Sequence, residues 1–179
     1  VAVFSYELLY SWTGNIEASQ WAAPILFWYA LGNGLLMILA FQYYLQFAYG
    51  NLKYHIWGNT IFGFVQIIVM IIAVYSYGAL GAGIAWFGLQ AIFLSFWPGY
   101  IHSKFAKGIH KNWMIKDILP MLCSTGVVLV AIKNINIDFF SFERVELFLI
   151  LLLIGGVVLI INSLVASEVR NMILKRIVR

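Results

Sequence analysis

Four polar side chains lie on one face of an otherwise apolar stretch of the chain. Gln42, Gln46, Tyr49 and Lys53 are separated by four, three and four residues, which places them in one stripe along an α-helix. Amides and phenols donate and accept hydrogen bonds, and the lysine ammonium can meet an anion such as phosphate or mark the membrane boundary. The stripe could therefore bind a ligand that carries hydroxyl groups and negative charge.

Two further segments repeat this helical spacing. Asn59 and Gln66 share one face of the next apolar segment, and Gln90 lies between aromatic residues on one face of the segment after it. A single amide inside a membrane span usually makes an interhelical hydrogen bond worth under about 1–2 kcal/mol. Taken together, the stripes resemble the lining of an aqueous cavity. The predicted substrate cavity comprises Gln42, Gln46, Tyr49, Lys53, Asn59, Gln66 and Gln90.

The elements that position these residues must be membrane helices. The chain is 63% hydrophobic and 10% charged, with a mean hydropathy of +0.92, whereas soluble domains are about half apolar and a quarter charged. No charged residue occurs between Ala18 and Leu52 or between Tyr54 and Ser103. A helix needs about 20 apolar residues to cross a bilayer, so each window can hold at least one crossing.

The predicted fold is all-α: one polytopic membrane helix bundle over residues 1–179, with five full transmembrane helices and a partial one at the N-terminus. The glycine-rich stretch "SYGALGAG" divides the second long window, because clustered glycines favour a turn and close backbone packing. The chain begins without methionine, and we expect it to be the C-terminal part of a longer protein. The spans are predicted near 1–11 (partial), 21–47, 56–77, 80–101, 117–135 and 145–166, followed by a basic tail at 167–179.

Alternating crossings place every basic residue except Lys133 and Arg144 on one side of the membrane. Because lysine and arginine are retained in the cytoplasm, the lysine-rich loop and the C-terminus are predicted to be cytoplasmic. The net charge of +4 then reflects membrane topology, and no nucleic-acid partner is expected.

Other chemical groups are sparse. Glu7 lies in the partial first span, where a carboxylate is a possible ion-coupling group or a side chain that reaches the interface. His102 and His110 flank lysines, with no carboxylate or cysteine at metal-ligand spacing. The chain has no P-loop, GxSxG or HExxH motif. We therefore expect no catalytic, cofactor-binding or metal site, and no enzyme activity.

Several short motifs, in order, resemble one known family. "YSWTGN", "LQFAYGNLKYHIWGN" and "YGALGAGIAWF" are followed by a basic loop and "KDILP". This order resembles the C-terminal half of bacterial polysaccharide (O-antigen) flippases, members of the MATE-like superfamily of multidrug, oligosaccharidyl-lipid and polysaccharide exporters. The resemblance implies that the chain forms the second of two pseudo-symmetric helix bundles, which rock around a central cavity.

The resemblance also implies a function. The protein would flip undecaprenyl-pyrophosphate-linked oligosaccharide across the bacterial inner membrane by alternating access, during lipopolysaccharide or other polysaccharide biosynthesis. Its partners would be this lipid-linked substrate, the membrane lipids, and the polysaccharide polymerase and chain-length machinery. Flippases of this kind carry cationic cavity residues, whereas here only Lys53 lies on a polar stripe.

Two other functions fit the same helices. An ion-coupled exporter of drugs or small molecules from this superfamily would need a buried coupling carboxylate, for which Glu7 is the candidate. A membrane enzyme of polysaccharide assembly would need catalytic groups in a sizeable outer loop, and the stretch from Asp138 to Glu146 is short.

Overall fold

Helices form nearly all of the protein that the structure describes. The computed structural model describes residues 1–135 and 139–166, and no strand occurs within these ranges. The predicted tail at 167–179 and Asp138 lie outside them. Short 3-10 turns at Ala2–Phe4 and Phe139–Ser141 and a π turn at Met114–Ile118 accompany the helices. The helices are α1 (Ser5–Thr13), α2 (Ile16–Ala48), α3 (Lys53–Phe105), α4 (Ile109–Trp113), α5 (Leu119–Asn134) and α6 (Arg144–Val165).

Four helical segments in the described ranges are long and apolar enough to cross a membrane. They are Ile16–Ala48, Lys53–Phe105, Ile109–Asn134 and Arg144–Val165. The all-helical class predicted from the sequence is confirmed, and these segments indicate a membrane-embedded protein. The number of complete crossings stays a prediction.

Helix α3 is two helices joined by a sharp reversal at Gly78. The glycine has φ 63° and ψ −150°, a backbone conformation open essentially to glycine alone. Beyond it the chain runs back along itself: the Phe62 and Phe93 rings stack with centroids 4.3 Å apart, and the Tyr54 and Tyr100 rings lie 5.8 Å apart. The reversal falls inside the glycine-rich stretch that predicted it, and the halves 53–77 and 79–105 contain the predicted spans 56–77 and 80–101.

The two halves of α3 also meet where a glycine faces an indole. The Trp97 ring occupies the space that a Cβ atom on Gly58 would fill, so no larger residue fits at Gly58 without moving the ring. Phe93 is stacked on Trp97 at 5.1 Å and continues the contact along the helix. Aromatic packing against a bare backbone thus holds the hairpin closed.

Helix α2 packs parallel to the second half of α3. Trp28 contacts Phe87, with ring centroids 5.3 Å apart, and at the other end Tyr49 contacts Phe105 at 5.5 Å. Helix α2 begins at Ile16, five residues before the predicted span, because the Asn15 side chain caps it by accepting a hydrogen bond from the Ala18 N–H at 3.0 Å.

The chain divides into two compact units. The first unit comprises residues 1–9 and 15–110, and the second comprises residues 10–14 and the described residues from Lys111 onward. The single bundle predicted over residues 1–179 stays a prediction.

In the second unit, hydrogen bonds join α5 to α6. The Asn162 amide donates to the Thr125 hydroxyl at 2.9 Å, and its carbonyl oxygen accepts from the Ser124 hydroxyl at 2.7 Å. The Arg144 guanidinium donates to the Trp12 carbonyl at 2.7 Å, close to the C-terminal end of α1, where backbone carbonyls lack helical partners. Polar bonds therefore connect the helices of this unit.

Replacing Gly78 with alanine should weaken the fold. The alanine Cβ forces the reversal out of its present φ and ψ, at a cost of about 1–3 kcal/mol in the free energy of unfolding. Gly88→Ala is the matched control, because Gly88 sits in helix with open space around it and alanine favours helix by about 0.5–1 kcal/mol. Unfolding in detergent micelles measures both variants. Equal stability of Gly78→Ala and Gly88→Ala would contradict the role given to Gly78.

Candidate functional site

A pocket of about 290 Å³ lies in the first unit, between α2 and both halves of α3. Its walls combine aromatic rings with a few polar groups, an arrangement typical of small-molecule sites. Helix α2 contributes Gln42 and Tyr43, the start of α3 contributes His55 and Asn59, and the returning half contributes Trp97. Two of the predicted cavity residues, Gln42 and Asn59, thus lie in one pocket.

Gln42 is the polar group that the pocket leaves unsatisfied. Its side chain is 1% exposed, and neither its amide nitrogen nor its carbonyl oxygen has a hydrogen-bond partner. A buried polar group without a partner costs about 1–3 kcal/mol. Such a group in a native fold calls for an explanation, and a bound water or ligand in the pocket would supply one.

His55 and Asn59 form a hydrogen-bonded pair on the pocket wall. The Asn59 amide lies 3.0 Å from Nε2 of His55, and the imidazole lies 4.8 Å from the Tyr43 ring centroid. The two residues are one helical turn apart, so their side chains meet on one face of α3. Sequence reasoning missed His55: its four-residue spacing from Asn59 puts both residues on one helix face, but its place in the pocket depends on the packing of α2 against α3.

Gln46 and Gln90 lie in the interior of the first unit. Gln46 is 0% exposed and donates from Nε2 to the carbonyl of Gln42 at 3.0 Å, which leaves its own Oε1 without a partner. Gln90 is 1% exposed, and its Oε1 also lacks a partner, as does the Trp86 indole nitrogen. Gln66 is half-buried, and the antiparallel register of the hairpin places it level with Gln90.

The C-terminal end of the predicted polar stripe lies outside the pocket. Tyr49 and Lys53 are exposed at the junction of α2 and α3, and neither lines the pocket. The backbone N–H of Lys53 donates to Oδ1 of Asn51 at 3.2 Å, which fixes the start of α3. The structure thus encloses the glutamines of the stripe and exposes its last two members.

Glu7 is half-buried in α1 and does not line the pocket. Its role as a coupling carboxylate stays a prediction.

His102 and His110 come together at the end of α3, although eight residues separate them. Their Nδ1 atoms are 3.1 Å apart, so one ring donates and the other accepts. Gly108, with φ 84°, turns the chain between them. Across the described ranges, no group of three or more His, Cys, Asp or Glu side chains could hold a metal ion. The hydrogen bond between the two rings joins the end of α3 to α4.

The pocket offers hydrogen bonding and ring stacking. An unpaired amide can donate to and accept from one hydroxyl-bearing ligand, while Tyr43 and Trp97 provide apolar faces on which a ligand ring can stack. These groups suit reversible binding of a polar, uncharged ring.

No protein-family model, no curated protein and no solved structure matches this chain.

Replacing Gln42 with leucine should raise the free energy of unfolding by about 1 kcal/mol or more. Leucine has a similar volume and removes two buried polar atoms that have no partner. Gln46→Leu is the matched control: it should gain less, because it also removes the hydrogen bond to the Gln42 carbonyl. Denaturant titration in detergent micelles measures both. A loss of more than about 1 kcal/mol in Gln42→Leu would show that the amide is already satisfied.

Proposed function

We propose that the protein is a membrane transporter that moves a lipid-linked oligosaccharide across the bacterial inner membrane by alternating access. The observation that carries the proposal is the buried, unpaired amide of Gln42 in a pocket walled by aromatic rings. A sugar ring would pair its hydroxyl groups with that amide and stack on Trp97 or Tyr43.

The physical need for such a pocket comes from the substrate. A sugar head group that crosses the hydrocarbon core of the bilayer would lose its hydrogen bonds to water. Each unpaired hydroxyl would cost several kcal/mol. A helical protein lowers that barrier by offering polar groups at membrane depth. Amides do so without the larger penalty of burying a charge.

The resemblance to polysaccharide flippases supports the same proposal, including a substrate attached through pyrophosphate to undecaprenol. In this arrangement the loop from Lys104 to Lys116 and the C-terminus face the cytoplasm. The first unit then belongs to the second of the two helix bundles that rock around the substrate.

An ion-coupled exporter of small molecules is the second candidate, and His55 favours it. The imidazole is a group that can gain a proton on the pocket wall, and it contacts both Asn59 and Tyr43. Protonation there would change the hydrogen bonding of the pocket. This candidate differs from the first in cargo and keeps the same helices.

Transport in cells tests the first candidate. Gln42→Leu with Asn59→Leu in the intact protein should lower surface polysaccharide roughly fivefold or more, since each lost hydrogen bond is worth about 1 kcal/mol. The host is a strain whose own translocase gene is deleted, and membrane insertion is followed in parallel with a fluorescent tag. Thr60→Leu is the matched control, because Thr60 neighbours Asn59, is exposed and does not line the pocket. Equal polysaccharide levels in all three proteins would contradict the proposal.

A further inference from the structure

The three lysines of the first unit lie at one end of its helices. Lys53 begins α3, and Lys104 and Lys107 lie at and just beyond its end, so the hairpin brings all three to the same end of the helices. All three side chains are exposed. The opposite end of the hairpin, at Gly78, has exposed Tyr75 and Tyr77 and no charged residue.

No carboxylate of the first unit lies near these lysines. The sequence has no Asp or Glu between Glu17 and Asp117. Glu17 is in the first turn of α2, about 45 Å along that helix from its other end. The only other acid of the unit, Glu7, is in α1. The first unit therefore supplies no carboxylate to neutralise the positive charge of this end.

Aromatic rings surround the same end. The Lys104 ammonium lies 5.6 Å from the Tyr100 ring centroid, within cation–π range. The Tyr54 ring contacts Tyr100 at 5.8 Å and Phe105 at 5.7 Å. Tyrosines of this kind are enriched at the level of lipid head groups, where one side of the ring is apolar and the hydroxyl is wet. Aromatic rings and exposed lysine side chains therefore lie together at this end of the helices.

We infer that this lysine–aromatic end, formed by Lys53, Lys104 and Lys107 with Tyr54 and Tyr100, binds the phosphate head groups of anionic phospholipids. Lysine stems can lie along the rings while the ammonium groups reach the phosphates. Each basic residue at an anionic leaflet strengthens binding roughly fivefold. Zwitterionic lipids offer no net charge to balance the cluster, so the site discriminates by charge.

Native mass spectrometry of the intact protein in a neutral detergent tests the inference. Phosphatidylglycerol and phosphatidylcholine are added in equal amounts, and the retained lipids are counted. Wild type should retain more phosphatidylglycerol, Lys104→Gln should lower that preference roughly fivefold, and the triple Lys53→Gln, Lys104→Gln, Lys107→Gln variant should lower it further. Lys133→Gln is the matched control, because Lys133 is an exposed lysine at the end of α5, in the second unit. It should keep the wild-type preference.

Three results would overturn the inference. The first is equal retention of both lipids by wild type, and the second is a wild-type preference in the triple variant with its melting temperature unchanged. The third is binding of inorganic phosphate to the same lysines without any preference for phosphatidylglycerol, which would assign the site to a free anion. None of these outcomes depends on which cargo the pocket carries.

Discussion

The reversal at Gly78 is the constraint on which the first unit depends. Only glycine adopts that backbone conformation at little cost, and the residues that follow can then pack against those that precede. The indole of Trp97 rests against the bare backbone at Gly58, and the stack from Phe62 through Phe93 to Trp97 fixes the register. The pocket, the enclosed amides and the cationic end all follow from this alignment.

In the first unit, several polar side chains are buried and many large apolar side chains are exposed, as expected of a protein embedded in a membrane. Its most buried side chains include Gln42, Gln46 and Gln90, whereas large apolar residues such as Phe64 and Ile71 are more than half exposed. In water this arrangement would be unfavourable, because burial should select apolar groups. In a bilayer the exposed apolar faces contact lipid tails, and polar groups gain by turning inward. The same physics that makes the helices soluble in lipid thus places polar groups in the interior of the first unit.

The sequence predicted those features that depend on short-range rules. Glycine clustering located the break between the halves of α3, and uninterrupted apolar windows located α2, α5 and α6. The helical stripe correctly placed Gln42 and Gln46 on one face of α2. It could not say what covers that face, since burial depends on which neighbouring helix packs there.

Other features depend on contacts between distant residues. The Arg144 guanidinium reaches carbonyls near the end of α1, more than one hundred residues earlier in the chain, and no local pattern predicts such a bond. His102 and His110 meet only because Gly108 turns the chain between them. His55 lines the pocket because α2 packs against α3 and brings Tyr43 onto the imidazole. The spacing of residues within α3 does not determine that packing.

The separation of residues 53 and 104 tests the central claim, the hairpin, most directly. Spin labels at cysteines replacing Lys53 and Lys104, in a Cys123→Ser background, report this distance by pulsed electron paramagnetic resonance in nanodiscs. The hairpin predicts a short distance, set by packed helix axes about 8–10 Å apart and the two label linkers. One continuous helix through Gly78 would place the labels about 75 Å apart, and that result would contradict the account.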